Sequence, residues 1–179
     1  MFYREIDSEV KLALVHKSFA PRYAELAKDN FEYLEEWLAW PPHCKSKLDF
    51  EEFVQRSLHD YADGKSMVCG IFYQNELVGN ASFNSIAHHL KKVEIGYWLA
   101  KPYQGKGIMA RVCTALIEIA FVELDMQKVQ ISAATGNKPS RAICERLGMT
   151  LEGIITQQEY LGGRLVDHAI YALHKENQL

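Results

Sequence analysis

The residues best placed to do chemistry in this chain are Gln104-Gly105-Lys106-Gly107, which lie between two runs of opposite periodicity. Before them, Val93, Ile95, Tyr97 and Leu99 recur at period two, the pattern of a strand. After them, Ile108, Val112, Ala115, Ile119 and Val122 recur at helical spacing. A helix start leaves backbone N–H groups without intrahelical partners, and the helix dipole adds partial positive charge there. Gly105 and Gly107 carry no side chain to keep a pyrophosphate off that backbone, and Lys106 adds a cation. The loop reads as an anion site, with a plain structural turn as the alternative. It is not a Walker loop, because Lys106 is followed by Gly107 instead of Ser or Thr. Nor is it a Rossmann loop, because Ala110 stands where the third glycine belongs. A second polar start, Asn137-Lys138-Pro139-Ser140, opens another short helix over 139–147 that Gly148 ends.

These two sites need elements to position them. Residues 8–15 alternate as a first strand. Pro21 starts a helix through Asp29, Asn30 caps a second over 30–38, and Trp40-Pro41-Pro42 stops it. A third helix covers 47–63, with Phe50, Phe53, Val54, Leu58 and Tyr61 as its apolar face, and Gly64 ends it. Strands at 66–73 and 77–86 form a hairpin around Gln74-Asn75-Glu76. The strands at 92–99 and 128–134 are joined by the helix over 108–123, so they run parallel. The last strands are 150–156 and 166–174, linked by a loop over 157–165 that turns at Gly162-Gly163. The order β-ααα-βββ-α-β-α-ββ is that of a mixed α/β domain.

The totals narrow the class. A chain of 179 residues with 48% hydrophobic and 24% charged residues suits one self-sufficient globular domain. A net charge of −3 argues against general nucleic-acid binding. No apolar run approaches the length of a membrane span, and the start Met1-Phe2-Tyr3-Arg4-Glu5 lacks a signal-peptide core, so a cytoplasmic protein is expected. Cys44, Cys69, Cys113 and Cys144 are widely spaced and read as free thiols, with no zinc spacing among them. His88-His89 reads as part of a solvated loop, not a metal site.

Taken together, the two polar helix starts resemble the GNAT family of acetyl-CoA-dependent N-acetyltransferases. Gln104-x-x-Gly107-x-Met109 matches that family's pyrophosphate loop except at its last position. Asn137-x-x-Ser140, followed by Glu145-Arg146-Leu147-Gly148-Met149, matches its second cofactor motif. The element order is also the family's. The resemblance therefore implies a single GNAT domain over 1–179, with a mostly antiparallel sheet splayed at its fourth and fifth strands and flanked by helices. Gln104 to Met109, Leu151-Glu152-Gly153, Glu159-Tyr160 before Gly162-Gly163-Arg164, and Asp167-His168-Ala169-Ile170-Tyr171 are similar to the ribosomal-protein N-terminal acetyltransferase branch.

The resemblance also implies roles. Gln104, Gly105, Lys106, Gly107 and Ile108 would hold the pyrophosphate of acetyl-CoA, with Met109 completing the motif. Tyr97, Trp98 and Leu99 would pair with the pantetheine amides, and Asn137 would bond it from the other side. A backbone N–H of that strand would serve as oxyanion donor, worth up to about 3–4 kcal/mol of barrier. Glu159 is the expected base for the amine, directly or through one water. Many members carry a tyrosine acid where this chain has Cys144, so Ser140 is the expected proton donor to the leaving thiolate. Cys144 is then a packing residue, with a nucleophilic role as the alternative. The acceptor site would involve Trp37, Trp40, Phe50 and Tyr160. An acidic rim of Asp29, Glu32, Glu35, Glu36, Glu51 and Glu52 would suit a basic ribosomal-protein N-terminus. Polyamine, antibiotic and other small-amine acceptors stay open, as does a CoA-binding regulatory module without catalysis. A homodimer or higher homo-oligomer through the C-terminal strands is expected; the apolar segment Ala169 to Leu173 is compatible with that and equally with an ordinary core strand.

Overall fold

The computed structural model describes residues 3–178; Met1, Phe2 and Leu179, which the expected domain takes in, lie outside the described residues. Among the described residues, eight strands form a single sheet. They are β1 (Arg4–Glu5), β2 (Val10–Leu14), β3 (Met67–Tyr73), β4 (Glu76–Ala87), β5 (Lys92–Leu99), β6 (Lys128–Ala134), β7 (Thr150–Leu161) and β8 (Arg164–His174). The spatial order is β1-β2-β3-β4-β5-β6-β8-β7. Only β5 and β6 run parallel, as expected for strands joined by a helix. The strand β1, two residues long, carries too little pattern to be read in sequence.

The α-helices among the described residues are α1 (Ala20–Asp29), α2 (Phe31–Glu35), α3 (Lys47–Ala62), α4 (Ile108–Glu118) and α5 (Lys138–Arg146). α1 and α3 pack on one face of the sheet, in a core of Tyr23, Phe50, Val54, Phe72 and Leu77. α4 and α5 pack on the other, over Ile71, Val78, Phe83, Ile95 and Ile131. α3 begins with a reciprocal cap: the Asp49 N–H donates to Ser46 Oγ, and the Ser46 N–H donates to Asp49 Oδ2. Its apolar face is narrower than expected, since Phe50 and Val54 are buried while Tyr61 is exposed.

Four local expectations are corrected. Asn30 does not cap α2 with its side chain; its Nδ2 donates to the Leu26 carbonyl and its Oδ1 accepts from the Lys101 N–H. Asn30 thereby ties α1 to the turn after β5. The α2 stretch is also shorter than the expected 30–38. The helix over 108–123 is α-helical only to Glu118, and Ile119–Glu123 form a π turn. The wider turn rotates Val122 out of the apolar stripe, leaving it 74% exposed. Finally, the expected loop over 157–165 is largely strand: β7 and β8 continue to a tight turn at Gly162-Gly163. Cross-strand pairing, invisible to local composition, carries the ladder through Gln157-Gln158-Glu159 by means of a bulge.

Candidate active site

The fold forks at the centre of the sheet. β5 and β6 pair only from Lys92↔Lys128 to Ile95↔Ile131. Beyond that point Gly96 to Leu99 stay on β4, while Ser132 to Ala134 stay on β8. The peptide groups of Gly96 to Leu99 that point away from β4 therefore have no ladder partner. Backbone groups need hydrogen bonds, and this open edge offers donors and acceptors to a ligand laid along it.

One cleft, of about 380 Å3, lies on the α4–α5 side of the fork. Tyr97, Trp98, Leu99, Gln104, Gly105, Gly107, Ile108, Met109, Asn137 and Ser140 all line it, so the structure brings nearly all of the expected cofactor residues together. Lys106 is the exception: its Nζ lies 5.8 Å from the Tyr73 ring centre, and it does not line the cleft. Gly107 caps α4 in the left-handed region at φ 69°, and Gly105 has φ 73°. A Cβ at either position would meet no atom within 4 Å, so the bare backbone is open to approach. Both polar helix starts thus face one cleft whose other wall is an unpaired strand edge. That donor set fits a phosphorylated ligand with an amide-bearing arm. Arg111 braces the loop from behind, a role the sequence did not disclose. It donates to Asp7 Oδ2 at 2.8 Å and to the Lys106 carbonyl at 3.2 Å.

A larger cavity, of about 650 Å3, opens on the opposite side. It shares Trp37, Leu38, Tyr97, Trp98, Asn137 and Ser140 with the first, so the two meet at the fork. Trp37, Trp40 and Phe50 line it as expected, but Tyr160 does not. The expected acidic rim is also absent from its lining: Asp29, Glu32, Glu35, Glu36, Glu51 and Glu52 lie elsewhere. Glu51 is engaged by Lys17 and Lys47 instead. The charged residues of the wall are Arg56, Glu94 and Glu159. Asn84, the extra residue of a bulge in β4, also enters this wall, with its Oδ1 accepting from Ser82 Oγ at 2.6 Å. It rests on Gly96, where a Cβ would come within 2.3 Å of its Nδ2.

At the junction, Ser140 Oγ and Tyr97 OH are 2.9 Å apart. Ser140 is also held at the start of α5, its N–H donating to Asn137 Oδ1 at 3.2 Å. Burial pushes the Tyr97 phenol well above its usual range, so it keeps its proton and can donate to Ser140 Oγ. The sequence pattern implies only a backbone role for Tyr97; its hydroxyl is brought to Ser140 by the packing of α5 on the sheet. Cys144 is fully buried in the core and lines neither cavity. Burial pushes its thiol up to about 12, which suits packing and not nucleophilic attack. Across the larger cavity, Glu159 Oε2 lies 3.0 Å from His168 Nε2. Among the described residues no cluster of His, Cys, Asp or Glu could hold a metal ion, and no helix is long and apolar enough to cross a membrane.

This chain belongs to the acetyltransferase (GNAT) domain family, whose pattern it matches over residues 13–150. It is an acyltransferase that uses acetyl-CoA as co-substrate, the ligand that the fork and the glycine loop suit. Several of its relatives are named as ribosomal-protein acetyltransferases. It is 35% identical to a putative ribosomal N-acetyltransferase of Bacillus subtilis, YdaF, over 98% of this chain and 96% of that one. It is 32% identical to the ribosomal-protein-serine acetyltransferase of Escherichia coli, over 89% of each. Among solved structures it superposes at TM-score 0.93 on RimL, a ribosomal L7/L12 α-N-protein acetyltransferase in complex with coenzyme A. Identity there is 31%, over 97% of this chain and 98% of that one. It also superposes at TM-score 0.90 on the microcin C7 self-immunity acetyltransferase MccE bound to acetyl-CoA and AMP, at 30% identity over 94% of each chain.

Proposed function

We propose that this enzyme acetylates the N-terminal α-amine of a protein, a ribosomal protein in the first instance, in the cytoplasm. The observation that carries the reading is the meeting of two cavities at the β5–β6 fork, with Ser140 at the junction and Glu159 across the larger one. An α-amine has a pKa of about 8 against about 10.4 for a lysine amine, so a single carboxylate is a sufficient base. In this reading Gln104 to Met109 and Asn137 hold acetyl-CoA, and the free edge of Tyr97-Trp98-Leu99 aligns its thioester. Glu159 takes a proton from the amine as nitrogen bonds to the acetyl carbon. A backbone N–H of β5 steadies the oxygen charge. As the carbon–sulfur bond breaks, Ser140 passes its hydroxyl proton to sulfur and takes one back from solvent, while Tyr97, which keeps its own proton, donates a hydrogen bond to Ser140 Oγ. No acyl-enzyme forms, and Cys144 takes no part.

An aromatic wall of Trp37, Trp40, Phe50 and Trp98, together with the likeness to MccE, supports a second reading in which the amine is borne by a small molecule with a planar ring. A thiol-release assay across N-terminal peptides, polyamines and aminoacyl nucleotides separates the two. We expect peptide turnover to dominate; turnover confined to small amines would overturn the first reading. Glu159→Gln and Ser140→Ala should lower kcat more than acetyl-CoA affinity, and unchanged turnover in both would remove the assignment. The edge strand β7 exposes Leu151, Ile154 and Ile155, which supports pairing of two copies through the C-terminal hairpin. A monomer in sedimentation at micromolar protein would rule that out.

A further inference from the structure

The larger cavity contains a hydrogen-bonded chain of which the reaction above uses only one end, Glu159. Ser132 of β6, His168 of β8 and Glu159 of β7 all line it. Ser132 Oγ lies 2.7 Å from His168 Nδ1, and His168 Nε2 lies 3.0 Å from Glu159 Oε2. The carboxylate can only accept, so Nε2 carries a proton; in the neutral ring Nδ1 then accepts from the Ser132 hydroxyl. The imidazole is thus fixed in one tautomer and one orientation by neighbours on two other strands. Its side chain is 13% exposed, against 33% for Glu159, so the anchored group is the ring and the held group is the carboxylate.

The backbone acts in the same direction. β7 shifts register between Ile155, paired with His168, and Glu159, paired with Val166. Gln157, in that bulge, has φ 51°, and its N–H donates to Asp167 Oδ1 at 2.8 Å. Asp167 therefore pins the bulge, and His168 beside it holds the carboxylate that the bulge aims inward. One Glu159 oxygen is engaged by the ring, which leaves Oε1 for the amine.

We propose that His168 is a positioning residue that holds Glu159 in its base orientation, with Ser132 setting the tautomer. The inference rests on the assignment of Glu159 as the base. A carboxylate freed from the ring samples other rotamers, and a displacement of about 1 Å at a reacting group costs on the order of a hundredfold. His168→Ala should lower kcat by about ten- to a hundredfold while leaving the KM for acetyl-CoA unchanged. His168→Gln, whose amide nitrogen can replace Nε2–H, should recover most of the loss. In a Glu159→Gln background, His168→Ala should add no further loss, because the ring acts through the carboxylate.

Imidazole nitrogen NMR of the whole protein reads the same chain without turnover, and a single Nε2–H tautomer for His168 is expected. Wild-type kinetics from His168→Ala, equal losses in the Ala and Gln variants, or mixed tautomers in the wild type would each overturn the proposal. A wild type inert toward every amine would overturn the reaction itself, and His168's part with it. An active wild type matched by His168→Ala would overturn His168's part alone.

Discussion

Gly107→Ala separates backbone strain from ligand approach at a single atom. Gly107 sits at φ 69°, where an L side chain is strained, and a Cβ there would meet no atom within 4 Å. In the free protein the substitution therefore costs only the left-handed backbone, about 1 kcal/mol. For a chain of 179 residues that is a fall in Tm of about 2–4 °C. With acetyl-CoA bound, the methyl projects from the loop backbone that the phosphates must approach. Losing one charge-assisted hydrogen bond costs about 1.5–3 kcal/mol, a ten- to hundredfold weakening. Gly148→Ala is the control: its φ is 71°, its Cβ is equally unobstructed, and it lines neither cavity. Thermal unfolding should show similar losses for both variants, and calorimetric titration with coenzyme A should show weakened binding for Gly107→Ala alone. Wild-type affinity in Gly107→Ala would refute the placement of the pyrophosphate at the start of α4. Equal weakening in Gly148→Ala would show that the effect travels through stability.

Gly96→Ala puts a methyl within 2.3 Å of Asn84 Nδ2 and drives that flexible side chain from its seat in the larger cavity. The KM for the amine should rise several-fold with acetyl-CoA affinity unchanged; an unaltered amine KM would exclude Asn84 from acceptor binding. Asp125 accepts from Lys91 and Lys175 Nζ at 2.7 and 3.0 Å, and these bonds lower its pKa from 3.8 to about 2. Its folded value lies below its unfolded one, so its contribution to stability is complete above pH 3.8 and is lost as pH falls through about 2. Asp125→Asn should flatten the decline in stability across that window, read by urea unfolding at each pH; a parallel decline in both proteins would count against the ion pairs.

The cleft proposed for the cofactor was legible in sequence because its signals are local. A residue at positive φ ahead of a helix is written as glycine, and Gly107 is one. An alternating run marks a strand whether or not its partner is known, and β5 ended where Leu99 predicted. The helix start at Ile108 followed from the same local chemistry, and α5 begins at Lys138, one residue ahead of the expected 139. The larger cavity, proposed for the acceptor, depended on contacts that no window of sequence contains. Gln157-Gln158-Glu159 has a polar, loop-like composition, and only pairing with β8 makes it strand and turns Glu159 inward. His168 lies in an ordinary last-strand pattern, and its partners Ser132 and Glu159 are supplied by the two strands on either side of it in the sheet. The acidic residues read as a rim were placed by proximity in sequence, whereas the packing of α1 to α3 leaves them outside the cavity. The sequence by itself determined the loop, the helix starts and the strand between β4 and the fork, because backbone sterics and periodicity act within a few residues. Only the tertiary structure decided the fork and what stands across it, because the divergence of β5 from β6 and the approach of β7, β8 and the aromatic helices are set by how the whole sheet is covered.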